Sequence, residues 1–154
     1  MIILNNAQHA RMIAKASGCT FNPEFDACIS RWRDGWLLGG VIYQDYTGES
    51  IMMHVAGFSP KWMTRDLLWA FFDYPFNQLG VRRVFGQVPE SNTKALEFDL
   101  KVGFRIITKI DGVFEDGGLF IVVLERDDCR WLNYQPKGLM RGQDIFNGQE
   151  EQAA

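Results

Sequence analysis

His54 lies inside the run "IMMHVAGF". A lone imidazole among apolar neighbours is either a hydrogen-bonded core residue or a proton acceptor titrating near neutral pH. Asp45 and Glu49 flank the turn just before that run, as turn-forming carboxylates or as bases working through a bound water. Lys61, Thr64 and Arg65 follow Ser59-Pro60, where a helix should open; they form a solvated helix start, or supply positive charge and a hydroxyl donor. The fourth stretch, "SNTKALEFDLKVGFR" from Ser91 to Arg105, is either an ordinary helix ending against a strand or a helix that holds a ligand. Two histidines and three cysteines (Cys19, Cys28 and Cys129) at no metal-ligand spacing give no metal site to expect.

Positioning these groups falls to 154 residues, enough for one domain with its own core. An apolar fraction of 47% argues for a globular chain, and a net charge of -3 gives no electrostatic footprint for nucleic acid. No apolar run approaches the roughly 20 residues of a membrane span. The start "MIILNNAQHARM" lacks a basic region leading into an apolar core, so no secretory leader is expected. Buried or inert thiols in a reducing, cytoplasmic compartment follow from the odd cysteine count.

The element order can be read along the chain. "NNAQHARMIAKASG" is a helix capped by Asn5 or Asn6 and closed by Gly18. "DACISRW" and "WLLGGVIYQDY" flank Asp34-Gly35, a strong hairpin signal. "SIMMHVAGF" suits a strand covered on both faces. A helix then opens at Ser59-Pro60 and buries Leu67, Leu68, Phe71, Phe72, Phe76 and Leu79. Pro75 should kink or end it, because proline lacks the N–H and crowds the carbonyl of Phe71. "VRRVFGQV" is a strand, Ser91 caps the next helix, and Ala95, Phe98 and Val102 share one face of it. "FRIITKI" and "LFIVVLE" are two further strands, joined by the turn-rich "DGVFEDGG". The reading gives an α/β domain over residues 1–130 and an extension with a polar tail over 131–154. Within that extension "CRWLNYQPKGLM" is a partner or dimer surface, or Trp131 is tucked onto the sheet edge.

The segments "HVAGF", "WMTRDLLWAFFDYPFNQLGVRRVFGQVPESNTKALEFDLKVGFR" and "CRWL" resemble the GNAT superfamily of acetyl-CoA-dependent N-acetyltransferases. More narrowly, they resemble GNAT-like proteins of tailed phages and prophages. The resemblance rests on Asn92, Ala95, Phe98-Asp99 and Gly103-Phe104, following a strand-helix-strand unit. It implies a mixed, mostly antiparallel twisted sheet of about six strands with helices on both faces. It further implies that the strands "SIMMHVAGF" and "VRRVFGQV" splay apart and admit the pantetheine arm of acetyl-CoA. Backbone around His54, Val55, Ala56 and Gly57 would pair with that arm. The helix start at Lys61, Trp62, Met63, Thr64 and Arg65 would meet the diphosphate, and Asn92 and Phe98 would steady the cofactor from the neighbouring helix. His54, or Glu49 through water, would be the base, and the acceptor an amine on a small molecule or protein. The implied activity is acetyl transfer to that amine, in a host cytoplasm if phage-encoded; the alternative is a non-catalytic structural or host-interaction protein, including one of the virion. A homodimer is an open expectation, and neither nucleic acid nor membrane is expected as a partner.

Three departures from the family pattern stand out. Trp62 and Thr64 occupy positions where the family has glycines, and a bulky residue there adopts positive φ only at a cost. Asp99 replaces the tyrosine the family often uses to protonate the departing thiolate, and is expected on the surface. The opening strand and paired helices of the family are reduced to one helix before the hairpin.

Overall fold

The computed structural model describes residues 1–136. The expected polar tail "NGQEEQAA" and most of the 131–154 extension lie outside these residues. Seven strands form one sheet in the order β1-β2-β3-β4-β5-β7-β6. The strands are β1 (Ile2–Leu4), β2 (Ala27–Arg33), β3 (Trp36–Gln44), β4 (Ser50–Gly57), β5 (Arg83–Pro89), β6 (Arg105–Phe114) and β7 (Gly117–Glu125). Helices α1 (Ala7–Ser17), α2 (Arg65–Asp73) and α3 (Thr93–Val102) cover it. Every pairing is antiparallel except β4 with β5. The mixed, mostly antiparallel sheet is therefore as expected, with one strand more. That strand, β1, pairs Ile2 to Leu4 with Arg31 to Ile29, so the family's opening strand is present after all.

Local chemistry explains most boundaries. The Asn6 side chain accepts from the His9 N–H at 3.0 Å and starts α1. Asp34 and Gly35 both take positive φ (50° and 85°), the geometry a two-residue hairpin needs. Asn92 rather than Ser91 caps α3, accepting from Ala95 N–H at 3.2 Å. β6 runs on to Phe114 and turns through Glu115-Asp116, so the expected long connection "DGVFEDGG" is mostly strand. Helix α2 begins at Arg65, later than Ser59-Pro60 suggests, with Thr64 extended at its start.

The α-helix ends at Asp73, just before Pro75, as the proline predicts. The chain widens into a π-turn over Tyr74–Gln78, closed by Leu79 N–H to the Tyr74 carbonyl at 3.0 Å. The Phe71 carbonyl, which a non-proline residue at 75 would satisfy, accepts instead from the Tyr43 hydroxyl at 2.6 Å. Both groups are buried, and burial pushes the Tyr43 phenol well up from its ordinary value. Tyr43→Phe leaves that carbonyl without a donor, and should lower stability by about 1–3 kcal/mol in denaturant unfolding.

Two cores flank the sheet. On one face Phe71, Phe72 and Phe76 pack with Val41, Val84 and Val122; on the other, Ala10, Ile13 and Ala14 of α1 pack with Cys28, Leu37 and Ile42. Burial pushes the Cys28 thiol up to about 12 and Cys129 up to about 11, which keeps both protonated. No helix among the described residues is long and apolar enough to cross a membrane.

Candidate cofactor cleft

Strands β4 and β5 lie side by side yet pair over three residues each: Ser50 with Arg83, Ile51 with Val84 and Met52 with Phe85. Beyond them the strands part. β3 stays paired with β4 all the way to Gly57, so one edge of β4 is satisfied and the other is open from Met53 onward. A cleft of about 900 Å³ fills the fork. Residues 53–57 of β4 and 86–89 of β5 form its walls, the C-terminal turn of α1 one rim, and α3 the other.

His54 lines the cleft, half-buried, and makes no hydrogen bond among the described residues. It pairs across the sheet with Ile42, on the α1 side. Burial lowers its pKa, opposed in part by Asp45 and Asp26, so the imidazole is neutral at pH 7. The other histidine is different in kind. His9 is buried, bonded to the Ser30 hydroxyl at 2.8 Å and stacked on Trp32. Glu49 stands at the closed end of the fork, exposed and 3.8 Å from Arg82, outside the cleft.

The residues expected around the cofactor divide into two groups. Val55, Ala56, Gly57, Trp62, Asn92 and Phe98 line the cleft. Lys61, Met63, Thr64 and Arg65 do not: Lys61 is in solvent, Met63 packs on the core, and Arg65 lies over the Tyr134 ring. Thr64 bonds to Arg31 and to Asp66, and Arg31 stands 3.6 Å from the Asp66 carboxylate. Asp66 thus puts a negative charge in the first turn of α2, complementing the helix dipole where an anion would otherwise sit. Asp66 is visible in the sequence one residue into the helix, and a carboxylate at that place argues against an anion there. By contrast α3 has no acid in its first turn, and Lys94 there faces the cleft.

Trp62 explains where the expected glycines went. Its indole lies on two paired glycines of the sheet, Gly39 and Gly57. A Cβ on Gly39 would come within 2.3 Å of that ring, and one on Gly57 within 2.1 Å. The ring also stacks on Phe98 at 6.3 Å and tilts against Phe71 at 6.1 Å, bridging β4 to α3. The small residues lie under the tryptophan rather than in its loop, and residues 59–63 are outside the helix.

Asp99 corrects the expectation of a surface residue. It lines the cleft, half-buried, and its carboxyl has no hydrogen bond or ion pair among the described residues. Burial alone pushes it up to about 7, so much of it is protonated at neutral pH. The signal was in the spacing: Asp99 falls four after Ala95 and three before Val102, on the face already assigned to packing.

An open sheet, parted midway beside a helix capped by asparagine, is the architecture of the GNAT N-acetyltransferases, and the chain has that fold. It is similar in structure to the spermidine/spermine N-acetyltransferase SpeG of Vibrio cholerae (TM-score 0.66, 14% identity, 88% of this chain and 96% of that one). It is similar also to the Campylobacter jejuni N-acetyltransferase PseH in complex with acetyl coenzyme A (TM-score 0.57, 18% identity, 82% and 99%). A third likeness is to the IAA acetyltransferase of Bacillus cereus (TM-score 0.60, 10% identity, 81% and 99%). The sequence matches no family profile and no curated protein.

Proposed function

We propose that the protein is an N-acetyltransferase that takes acetyl-CoA as donor and an amine as acceptor. The parting of β4 from β5 after Met52 carries this reading. The free edge of β4 offers main-chain N–H and C=O groups to an extended, amide-bearing ligand, which docks as an added strand would. A backbone N–H of the same edge would meet the thioester oxygen as charge develops on it.

His54 on β4 and Asp99 on α3 both line the cleft, which supports giving them separate proton-accepting and proton-donating roles. The amine nitrogen bonds to the thioester carbon and the carbon–sulfur bond breaks. Neutral His54 takes the proton the amine loses, directly or through water, and protonated Asp99 gives one to the departing thiolate. A carboxylic acid titrating near 7 is a competent donor to a thiolate whose conjugate acid lies near 8.5. Asn92 and Lys94, at the acid-free start of α3, support the cofactor's phosphates in place of the α2 start that Asp66 already fills.

Acetyl-CoA at a hundred times its dissociation constant should stabilise the protein by about 2.7 kcal/mol, or roughly 5–10 °C in Tm. No shift at millimolar acetyl-CoA removes the reading. Asp66 at the α2 start and the Trp62–Phe98 contact across the cleft favour a second one, a non-catalytic member of the fold. It gives neither that shift nor transfer of labelled acetyl.

A further inference from the structure

The Trp62 indole carries a donor without a partner. A Cβ on Gly39 would meet its Cε3 and Cδ2, and one on Gly57 would meet its Nε1, Cε2 and Cδ1. The six-membered ring therefore lies over β3 and the five-membered ring over β4. Since β4 stands between β3 and the fork, the nitrogen-bearing edge is the one turned toward the fork. The indole lines the cleft, and its N–H makes no hydrogen bond among the described residues. Trp131 differs: its N–H donates to the Val102 carbonyl at 2.7 Å. The Trp62 N–H is not sealed off either, because Arg31 Nε is the one side-chain nitrogen or oxygen among the described residues that is both buried and unpaired. An indole N–H can only donate, so what it lacks is an acceptor.

The main chain beneath the ring says where that acceptor belongs. Phe58 N–H donates to the Leu38 carbonyl at 2.8 Å, and from there the β3–β4 register runs without a shift. Bonded and non-bonded pairs alternate along an antiparallel ladder. His54 and Ala56 therefore turn their N–H and C=O groups to β3, whereas Met53, Val55 and Gly57 turn theirs to the fork. An extended ligand on this edge meets those three residues in succession. The strand ends at the last of them, and there the indole N–H takes up the row. We propose that Trp62 is a cofactor-binding residue whose indole N–H donates to an oxygen of acetyl-CoA at the outer end of the β4 edge. The proposal rests on the acetyl-CoA reading above. It gives the tryptophan the task that glycines perform by baring main-chain N–H groups. The seat on Gly39 and Gly57 and the stacking on Phe98 fix the direction of the N–H before the ligand arrives, which lowers the ordering cost of binding.

Trp62→Phe keeps an aromatic ring over the glycines and removes the donor, and should weaken acetyl-CoA binding about tenfold in calorimetry. Trp62→benzothienylalanine keeps the bicyclic shape with sulfur in place of the N–H, and should lose as much. A loss shared by S-acetylpantetheine puts the accepting oxygen in the pantetheine arm; a loss with acetyl-CoA alone puts it on a phosphate. In proton–nitrogen correlation spectra of the wild type, the indole resonance that Trp62→Phe deletes should move downfield and exchange more slowly as acetyl-CoA saturates the protein. If that resonance stays in place while the Val55 and Gly57 amides shift, the proposal is overturned and the cofactor reading stands. A benzothienylalanine variant that binds as tightly as the wild type overturns it in the same way. If no resonance moves at millimolar acetyl-CoA, both are overturned.

Discussion

Asp99→Asn is expected to make the protein more stable and less active at once. The folded chain holds the Asp99 proton up to pH about 7, whereas the unfolded chain releases it near 3.8. Between those values the folded state binds more protons, so stability falls as pH rises from about 4 to 7, and the penalty is complete above 7. A three-unit shift corresponds to an upper bound of about 4 kcal/mol, and water in the cleft reduces it, so a penalty on the order of 2 kcal/mol is expected. Asparagine keeps the shape and removes the charge. The variant should therefore melt about 4–8 °C above the wild type at pH 8 and match it at pH 4. Its acetyl-transfer kcat should drop about tenfold, with the decline of rate above pH 7 abolished. Equal melting temperatures at pH 8 would show that Asp99 is ionised without penalty and is no proton donor.

His54→Ala should lower kcat/KM for the amine by about 10²- to 10³-fold, or about 3–4 kcal/mol of transition-state stabilisation. The side chain lies on the α1 side of the sheet while the main chain forms the open edge, so affinity for acetyl-CoA should stay within about twofold of the wild type. Desolvation holds the imidazole below its usual 6.5, which places the acid limb of the wild-type profile below that value. The variant should lose this limb. An added small imidazole should restore part of the rate. A variant with full activity, or one that loses cofactor binding and turnover together, contradicts the role given to His54.

Sequence and structure agree where local chemistry decides. Asp34-Gly35 has the φ values that a tight hairpin needs, and Asn6 and Gly18 bound α1 because capping is a short-range effect. The parted strands were legible only by resemblance, since no periodicity marks where two strands separate. β1 escaped because three residues are too few to show an alternation. The Tyr43–Phe71 bond spans 28 positions, and the Arg31–Thr64–Asp66 group brings β2 to the start of α2; neither leaves a mark on nearby sequence. Asp99 was different. Its helical phase was readable, but aspartate's usual preference for solvent outweighed the phase, and in this chain the phase was the better guide.

The seating of Trp62 on Gly39 and Gly57 ties three distant positions into one heritable unit. A methyl group gained at either glycine is intolerable while the indole remains; loss of the ring would free Gly57, whereas at Gly39 the Ala56 carbonyl oxygen would still lie 2.8 Å from the added carbon. Drift at Gly57 is therefore path-dependent: the ring must be lost before that position can vary. Descendants that kept the tryptophan would be recognisable by the two bare backbone positions under it.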